Sequence, residues 1–247
     1  MALRAGATRR SLVLCYHAVS DTWEHSLSVR PAAFERQLRF LVRLYRPVTA
    51  AEIVGARGRL LHVTFDDAFR SVDAALPALE RLGVPATVFA CTDLADEGLP
   101  LAVPELAAEA AAHPEELSTY PWERVRELAE RGVEVGSHTC SHPHLPRLAD
   151  DELERELRES RTRLEDELGR PCRFLAYPFG DENGRVRAAA RRAGYDAAFA
   201  LPGDVAAPDD FALPRLAVWR RDTLPRLAVK LGLAEGRRPA WLPETLR

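Results

Sequence analysis

The sequence predicts an α/β fold built on a mainly parallel sheet, either open or closed into a barrel. Two observations carry this expectation. Short apolar runs alternate with amphipathic helical patterns about six times along 247 residues, the βαβ rhythm of a parallel sheet. In addition, RLGVP (81–85), RGVEV (131–135) and RAGYD (192–196) repeat one joint. In each, a helix ends on arginine, the chain turns on glycine, and a strand begins.

In chain order, SLVLCY (11–16) is the first strand and PAAFERQLRFLVRL (31–44) the first helix. LLHVTF (60–65) is the second strand, a helix follows over 71–82, and VPATVFA (84–90) is the third strand. The segment 93–120 is loop-like with a short helix and reads as an insertion. A helix over 121–131 leads into VEVGS (133–137), a helix over 149–168 into RFLAY (173–177), and a helix over 183–193 into YDAAFA (195–200). The 149–168 helix is the clearest, with Leu153, Leu157, Leu164 and Leu168 along one stripe. Glu154–Arg158 and Glu159–Arg163 are spaced to pair on its solvated side. No linker divides the chain, so a single domain is expected over 1–247. Residues 220–247 form a C-terminal extension, expected to make a short helix on the barrel or on a partner.

Hydrophobic residues make up 47% of the chain and charged residues 29%, an ordinary soluble balance. The 34 basic and 37 acidic residues are interleaved for a net charge of −3, which argues against nucleic acid as a partner. Lys230 is the only lysine, and with abundant alanine this resembles a GC-rich bacterial composition. The opening MALRAGATRRSLVLCYHAV places basic residues before an apolar stretch. That stretch is short, is broken by Tyr16 and His17, and lacks a clean small-residue cleavage site. It reads as a first strand and the protein as cytoplasmic, with no run near the roughly 20 apolar residues of a membrane helix. Cys15, Cys91, Cys140 and Cys172 have no CxxC spacing and read as reduced, structural cysteines. Nothing in the sequence reports the oligomeric state.

Chemistry-bearing residues fall at the ends of the predicted strands. His17 follows the first, Asp66 and Asp67 the second, and His138 the fourth. In parallel α/β folds these C-terminal ends share one face, where active sites are built. GSHTCSHPHL (136–145) adds His142, four residues after His138. Two imidazoles and one carboxylate suit a divalent metal with open positions, and such an ion lowers the pKa of a bound water toward ~7. The second carboxylate is then free to accept that water's proton. His144 lies beyond the pair and after Pro143, with a solvent-facing or supporting role expected. His62, inside the second strand, reads as a packed histidine, and His25 and His113 carry no signal.

TFDDAF (64–69), SHTCSHPHL (137–145) and LAYPFGD (175–181), in that order, resemble the polysaccharide deacetylase family, the NodB-homology or carbohydrate esterase 4 group. So do YHAV, FERQLRFLVRLY, GVPATVFA and LPRLAVW (213–219), extending the resemblance over roughly 11–219. The resemblance implies a distorted (β/α) barrel and hydrolysis of N-acetyl or O-acetyl groups on sugars. It implies one zinc-like divalent ion held by Asp67, His138 and His142, with cobalt, nickel or iron as alternatives. Asp66 becomes the general base that deprotonates a water on the metal, and Tyr177, Pro178 and Phe179 line the sugar groove.

Three departures from the family pattern stand out. Ala68 replaces the glycine usual after the aspartate pair, at a cost if the position needs a positive φ. Ala176 occupies the place of a frequent arginine, and Arg215 is the candidate to pair with Asp66 instead. No histidine follows position 144, so the late histidine that serves many members as general acid is absent. His17 is the substitute acid if the first strand ends at the same mouth, and Trp219 the candidate wall for the acetyl methyl. The expected substrate is an N-acetylated sugar or glycan precursor. An amidase acting on a small amide, a binding protein that has lost turnover, and a non-haem iron protein remain as alternatives.

Overall fold

A computed structural model describes residues 11–201 and 209–234. Its strands are β1 Leu12–Tyr16, β2 Ala18–Val19, β3 Ser28–Val29, β4 Arg46–Pro47, β5 Leu60–Phe65, β6 Ala86–Ala90, β7 Glu134–Ser137, β8 Phe174–Ala176, β9 Ala197–Ala200, β10 Leu213–Pro214 and β11 Leu216–Ala217. Its helices are α1 Pro31–Leu41, α2 Ala50–Ile53, α3 Leu76–Leu82, α4 Ala107–Ala112, α5 Pro114–Leu117, α6 Trp122–Glu130, α7 Asp150–Leu168, α8 Gly184–Ala193 and α9 Leu224–Ala234.

The six strands expected from the sequence all form, and they pair in the order β9-β8-β7-β6-β5-β1, every pair parallel. Closure comes from a short seam. β10 pairs with β9, β11 pairs with β1, and Arg215 alone lies between β10 and β11. The chain thus steps from one sheet edge to the other across a single residue, and a nearly closed barrel results.

Proline accounts for two of the boundaries that differ from expectation. The helix expected over 71–82 begins as a 3₁₀ turn, Arg70–Ala74, and becomes α-helical only at Leu76, with Pro77 in its first turn. Proline has no N–H for an interior helical bond and belongs at a helix start. The strand expected from 84 starts after Pro85, which cannot donate to the ladder. On α7, Glu154 reaches Arg192 of α8, and Arg163 reaches Asp96 and Glu167, so the two expected intrahelical pairs are replaced.

Strand alternation sorts side chains into two layers. Leu61, Val63 and Phe65 of β5 join the main core between sheet and helices, with Leu14, Val88, Val135, Leu157 and Leu175. The opposite parity, His62 and Thr64, is fully buried in the barrel with Phe89, Phe174 and Phe199. His62 is held by the Val48 carbonyl and the Thr87 hydroxyl, each at 2.9 Å. Burial pushes its pKa down from 6.5 to about 4. Between those values the unfolded chain binds a proton that the folded chain refuses, so stability is full above pH 6.5 and declines toward pH 4. The decline should reach about 3 kcal/mol, at ~1.4 kcal/mol per pKa unit. Denaturant titrations at pH 7 and pH 4.5 should show the stability gap between wild type and His62→Gln narrowing in acid.

The insertion is ordered. Leu101, Val103, Leu106 and Leu117 pack on Ala18, Trp23 and Phe69 as a separate cluster, with Phe179 at its edge. α9 lies against α1, and Lys230 reaches the Ala217 carbonyl at 3.2 Å. The rest of the expected extension, 235–247, lies outside the described residues, as does 1–10 of the opening segment. All four cysteines are buried and free of disulfides. Among the described residues no helix is long and apolar enough to cross a membrane.

Candidate active site

Three loops leave the C-terminal ends of β5, β7 and β8, and they carry unusual backbone. The non-glycine residues with positive φ among the described residues are Asp67 (67°), Ala68 (50°), Thr139 (71°), His142 (61°) and Phe179 (60°). Each such residue costs on the order of 1–2 kcal/mol, and strain of this kind collects at functional sites. Ala68 therefore does sit where glycine would be easier.

The strained turn after β5 separates two adjacent aspartates. Asp66 continues the inward parity of His62 and Thr64, and Arg215 meets it from the seam. Arg215 donates from Nη1 to Oδ1 at 2.6 Å and from Nη2 to Oδ2 at 2.8 Å. It also donates to Thr64 Oγ1 at 3.1 Å and lies over the Phe89 ring. Both partners are buried, at 4% and 1% exposure. Burial works to raise the Asp66 pKa, but the guanidinium, then His138, holds it well below the usual carboxylate range. The Cys15 thiol donates to Asp66 Oδ2 at 3.4 Å, and burial keeps that thiol protonated. Cys15, His17 and Asp66 offer ligand atoms within 4.8 Å of one another. The guanidinium already occupies the cation's place on Asp66, so this cluster offers no room for a metal ion.

Asp67 turns the other way, toward the histidines. Its Oδ1 lies 3.4 Å from His138 Nε2 and 3.3 Å from His142 Nε2. All three side chains are buried, and their ligand atoms fall within 4.8 Å of one another. His138 places Nδ1 2.8 Å from the Ala176 carbonyl and must donate there. Burial lowers its pKa to about 4, so the ring is neutral and its Nε2 is a bare lone pair. Asp67 Oδ1 is itself buried without a hydrogen-bond donor. Electron-rich atoms converging in a buried cluster fit a divalent cation, and two imidazoles with one carboxylate match the donor set of a metal site with open positions. Burial alone would lower the His142 pKa, yet the Asp67 carboxylate outweighs it and raises that pKa above the ordinary value.

The remaining residues singled out in the sequence divide. His17 reaches the same mouth, half-buried, with its ring 5.9 Å from Trp219 in a near-parallel stack. Trp219 is anchored by its backbone N–H, which donates to Asp222 Oδ2 at 2.8 Å. Phe179 is half-buried, edge-on to His142 and stacked 4.0 Å from His144. Tyr177 and Pro178 are corrections. Tyr177 shares the parity of Leu175, its ring is fully buried in the main core, and its hydroxyl donates to the Phe211 carbonyl at 2.9 Å. Pro178 is buried beside it, so of the three only Phe179 is partly exposed. His144 stays off the Asp67–His138–His142 cluster, between Asp181 (3.3 Å) and Glu105 of the insertion (3.2 Å). Glu156 of α7, buried and bonded to the loop that carries His142, was not anticipated. Its signal was a glutamate on the stripe of Leu153, Leu157 and Leu164.

The profile of the polysaccharide deacetylase family matches residues 54–198, more than half of the chain. The chain belongs to the polysaccharide deacetylase family. A carbohydrate deacetylase is thereby indicated, one that removes acetyl groups from polysaccharide. Asp66, Asp67, His138, His142 and Phe179 fall inside the matched span, whereas His17, Arg215 and Trp219 fall outside it. YxkH of Bacillus subtilis (strain 168), named as a polysaccharide deacetylase, is 24% identical over 217 residues, 83% of this chain and 70% of that one. Two solved structures share the fold of this polysaccharide deacetylase. The Streptococcus pyogenes deacetylase PplD, solved with acetate, matches with a TM-score of 0.75 at 21% identity, over 91% of this chain and 99% of its own. IcaB from Ammonifex degensii matches with a TM-score of 0.74 at 24% identity, over 90% and 97%.

Proposed function

We propose that the protein is a metal-dependent deacetylase that releases acetate from an N-acetylated sugar or glycan precursor. The observation that carries this is one barrel mouth where Asp67, His138 and His142 converge beside the Asp66–Arg215 pair. Asp67, His138 and His142 hold a divalent ion, zinc by donor set, with cobalt, nickel or iron also suited. Such an ion supplies Lewis-acid chemistry, activating a water and polarising the acetyl carbonyl.

The chain's own groups do the rest. Asp66, ionised throughout the working pH range, accepts the proton from the attacking water. Arg215 fixes both oxygens of Asp66 and so sets the direction in which it accepts. His17, steadied against Trp219, delivers a proton to the departing nitrogen in place of the missing late histidine. Trp219 and Phe179 flank the position of the acetyl group and sugar.

The test is acetate release from N-acetylated sugars, oligosaccharides and nucleotide-sugars, using metal-stripped protein and protein reloaded with zinc or cobalt. Release that requires the metal is expected. No release from any acetylated substrate by metal-loaded protein would reject the reading. It would favour an amidase with a mouth narrowed by the insertion, whose Glu105 reaches His144. A second arm isolates His17. His17→Gln should slow amide cleavage by about 10²-fold or more. Hydrolysis of 4-nitrophenyl acetate should change little, because its leaving group departs without a proton. Equal losses on both substrates would exclude His17 as the acid.

A further inference from the structure

The loop that delivers His142 has little structure of its own. Between β7 and His142 it passes through two left-handed residues, Thr139 and His142, in a segment without helix or strand. α7 holds it from below with two side chains one helical turn apart. Glu156 Oε2 accepts the backbone N–H groups of Cys140 at 2.9 Å and Ser141 at 3.0 Å, and Oε1 accepts the Ser141 hydroxyl at 2.7 Å. Ser160 Oγ lies 2.8 Å from Ser137 Oγ, which in turn accepts the Thr139 N–H at 3.1 Å. The last link is internal, the His142 N–H donating to Thr139 Oγ1 at 3.1 Å.

Glu156 is 6% exposed, on a helix face otherwise given to leucines and Ser160. A carboxylate there carries a desolvation cost that an apolar residue would avoid. Its three acceptor contacts all go to the two residues immediately before His142. The barrel core does not use this carboxylate. What it fixes is the position of the peptide from which a metal ligand projects.

We propose that Glu156 is a positioning residue for the metal site, holding His142 where its Nε2 meets Asp67 and His138. The inference rests on the metal-site reading above and concerns affinity for the ion, not the acyl-transfer chemistry. Groups that orient a metal ligand from behind typically contribute 10–100-fold in metal affinity. In the Glu156→Gln variant the side-chain carbonyl would keep the two backbone N–H contacts and the amide would face Ser141 Oγ. A shorter or apolar residue loses the set.

The experiment is competition with a chromophoric chelator for zinc, together with the cobalt absorption spectrum, on wild type and variants. Glu156→Ala should weaken metal binding by 10-fold or more and alter the cobalt spectrum. At saturating metal it should recover kcat to within a few-fold, since Asp66 and His17 are untouched. Glu156→Gln should stay within a few-fold of wild type in affinity. Glu156→Asp keeps the charge and withdraws the carboxylate by one methylene. It should weaken binding too, and it serves as the test if the alanine variant does not fold. Leu164→Ala, on the same helix face and away from the loop, should lower the melting temperature with metal affinity unchanged. Folded Glu156→Ala or Glu156→Asp protein that binds metal as wild type does would overturn the proposal. So would an equal loss of affinity in Leu164→Ala. Wild-type protein that binds neither ion is a different failure, that of the metal-site reading itself, and the proposal falls with it.

Discussion

Replacing Arg215 by methionine should destabilise the protein by about 3–5 kcal/mol, the usual result of stranding one member of a buried ion pair. Both partners are nearly inaccessible, and two hydrogen bonds of 2.6 and 2.8 Å join them. Without the guanidinium, the Asp66 carboxylate keeps only the Cys15 thiol and the neighbouring imidazoles. Burial, its largest influence, then acts unopposed by Arg215 and raises the pKa. The pH dependence has a definite sign. In wild type the Asp66 pKa is depressed, so its contribution to stability is present above the ordinary carboxylate value of ~3.9 and is lost only in stronger acid. In Arg215→Met the raised pKa means that protonation relieves the stranded charge. The gap between the two proteins should therefore shrink as pH falls, in denaturant titrations of metal-free protein. The double variant Asp66→Asn/Arg215→Met, which removes the charge as well, should recover much of the loss. A single-variant cost under about 1 kcal/mol would mean that water or movement compensates, and that the seam does not depend on the pair.

That pair also shows where the sequence was legible and where it was not. β1 and β5 to β9 could be read because each is an apolar run bounded by a turn, and parity then carries His17 and Asp66 to one mouth. β10 and β11 could not. Two residues on either side of Arg215 give no periodicity, and their pairing exists only because the barrel has two edges to join. Tyr177 was misplaced because a motif identifies a segment, whereas strand parity decides which way each ring points. Asp67 and His142 were expected as ligands from spacing and family resemblance. Their left-handed backbone was not foreseeable, since neither residue type demands it. Glu156 was hidden differently. On a helix rich in glutamate, one more acidic residue reads as solvated unless its place on the leucine stripe is counted.

The two adjacent aspartates should fail in different ways. Asp66→Asn should reduce acetate release by about 10²–10⁴-fold, the range for loss of a general base. It should leave metal content unchanged, because the carboxylate that faces His138 and His142 belongs to Asp67. Asp67→Asn should lose both metal and activity, because a neutral amide replaces the only anionic donor of the cluster. Metal analysis beside the rate assay separates the two. Stability adds a third reading. An ion that binds only the folded state stabilises it by RT ln(1 + [L]/Kd), about 4 kcal/mol at a thousandfold excess over Kd. Added zinc should therefore raise the melting temperature of wild type and Asp66→Asn, and leave Asp67→Asn where it was. If Asp66→Asn lost the metal as well, the two carboxylates would be acting as joint ligands. The base would then have to be sought elsewhere, with His17, whose ring lies within 4.8 Å of Asp66, the first group to test.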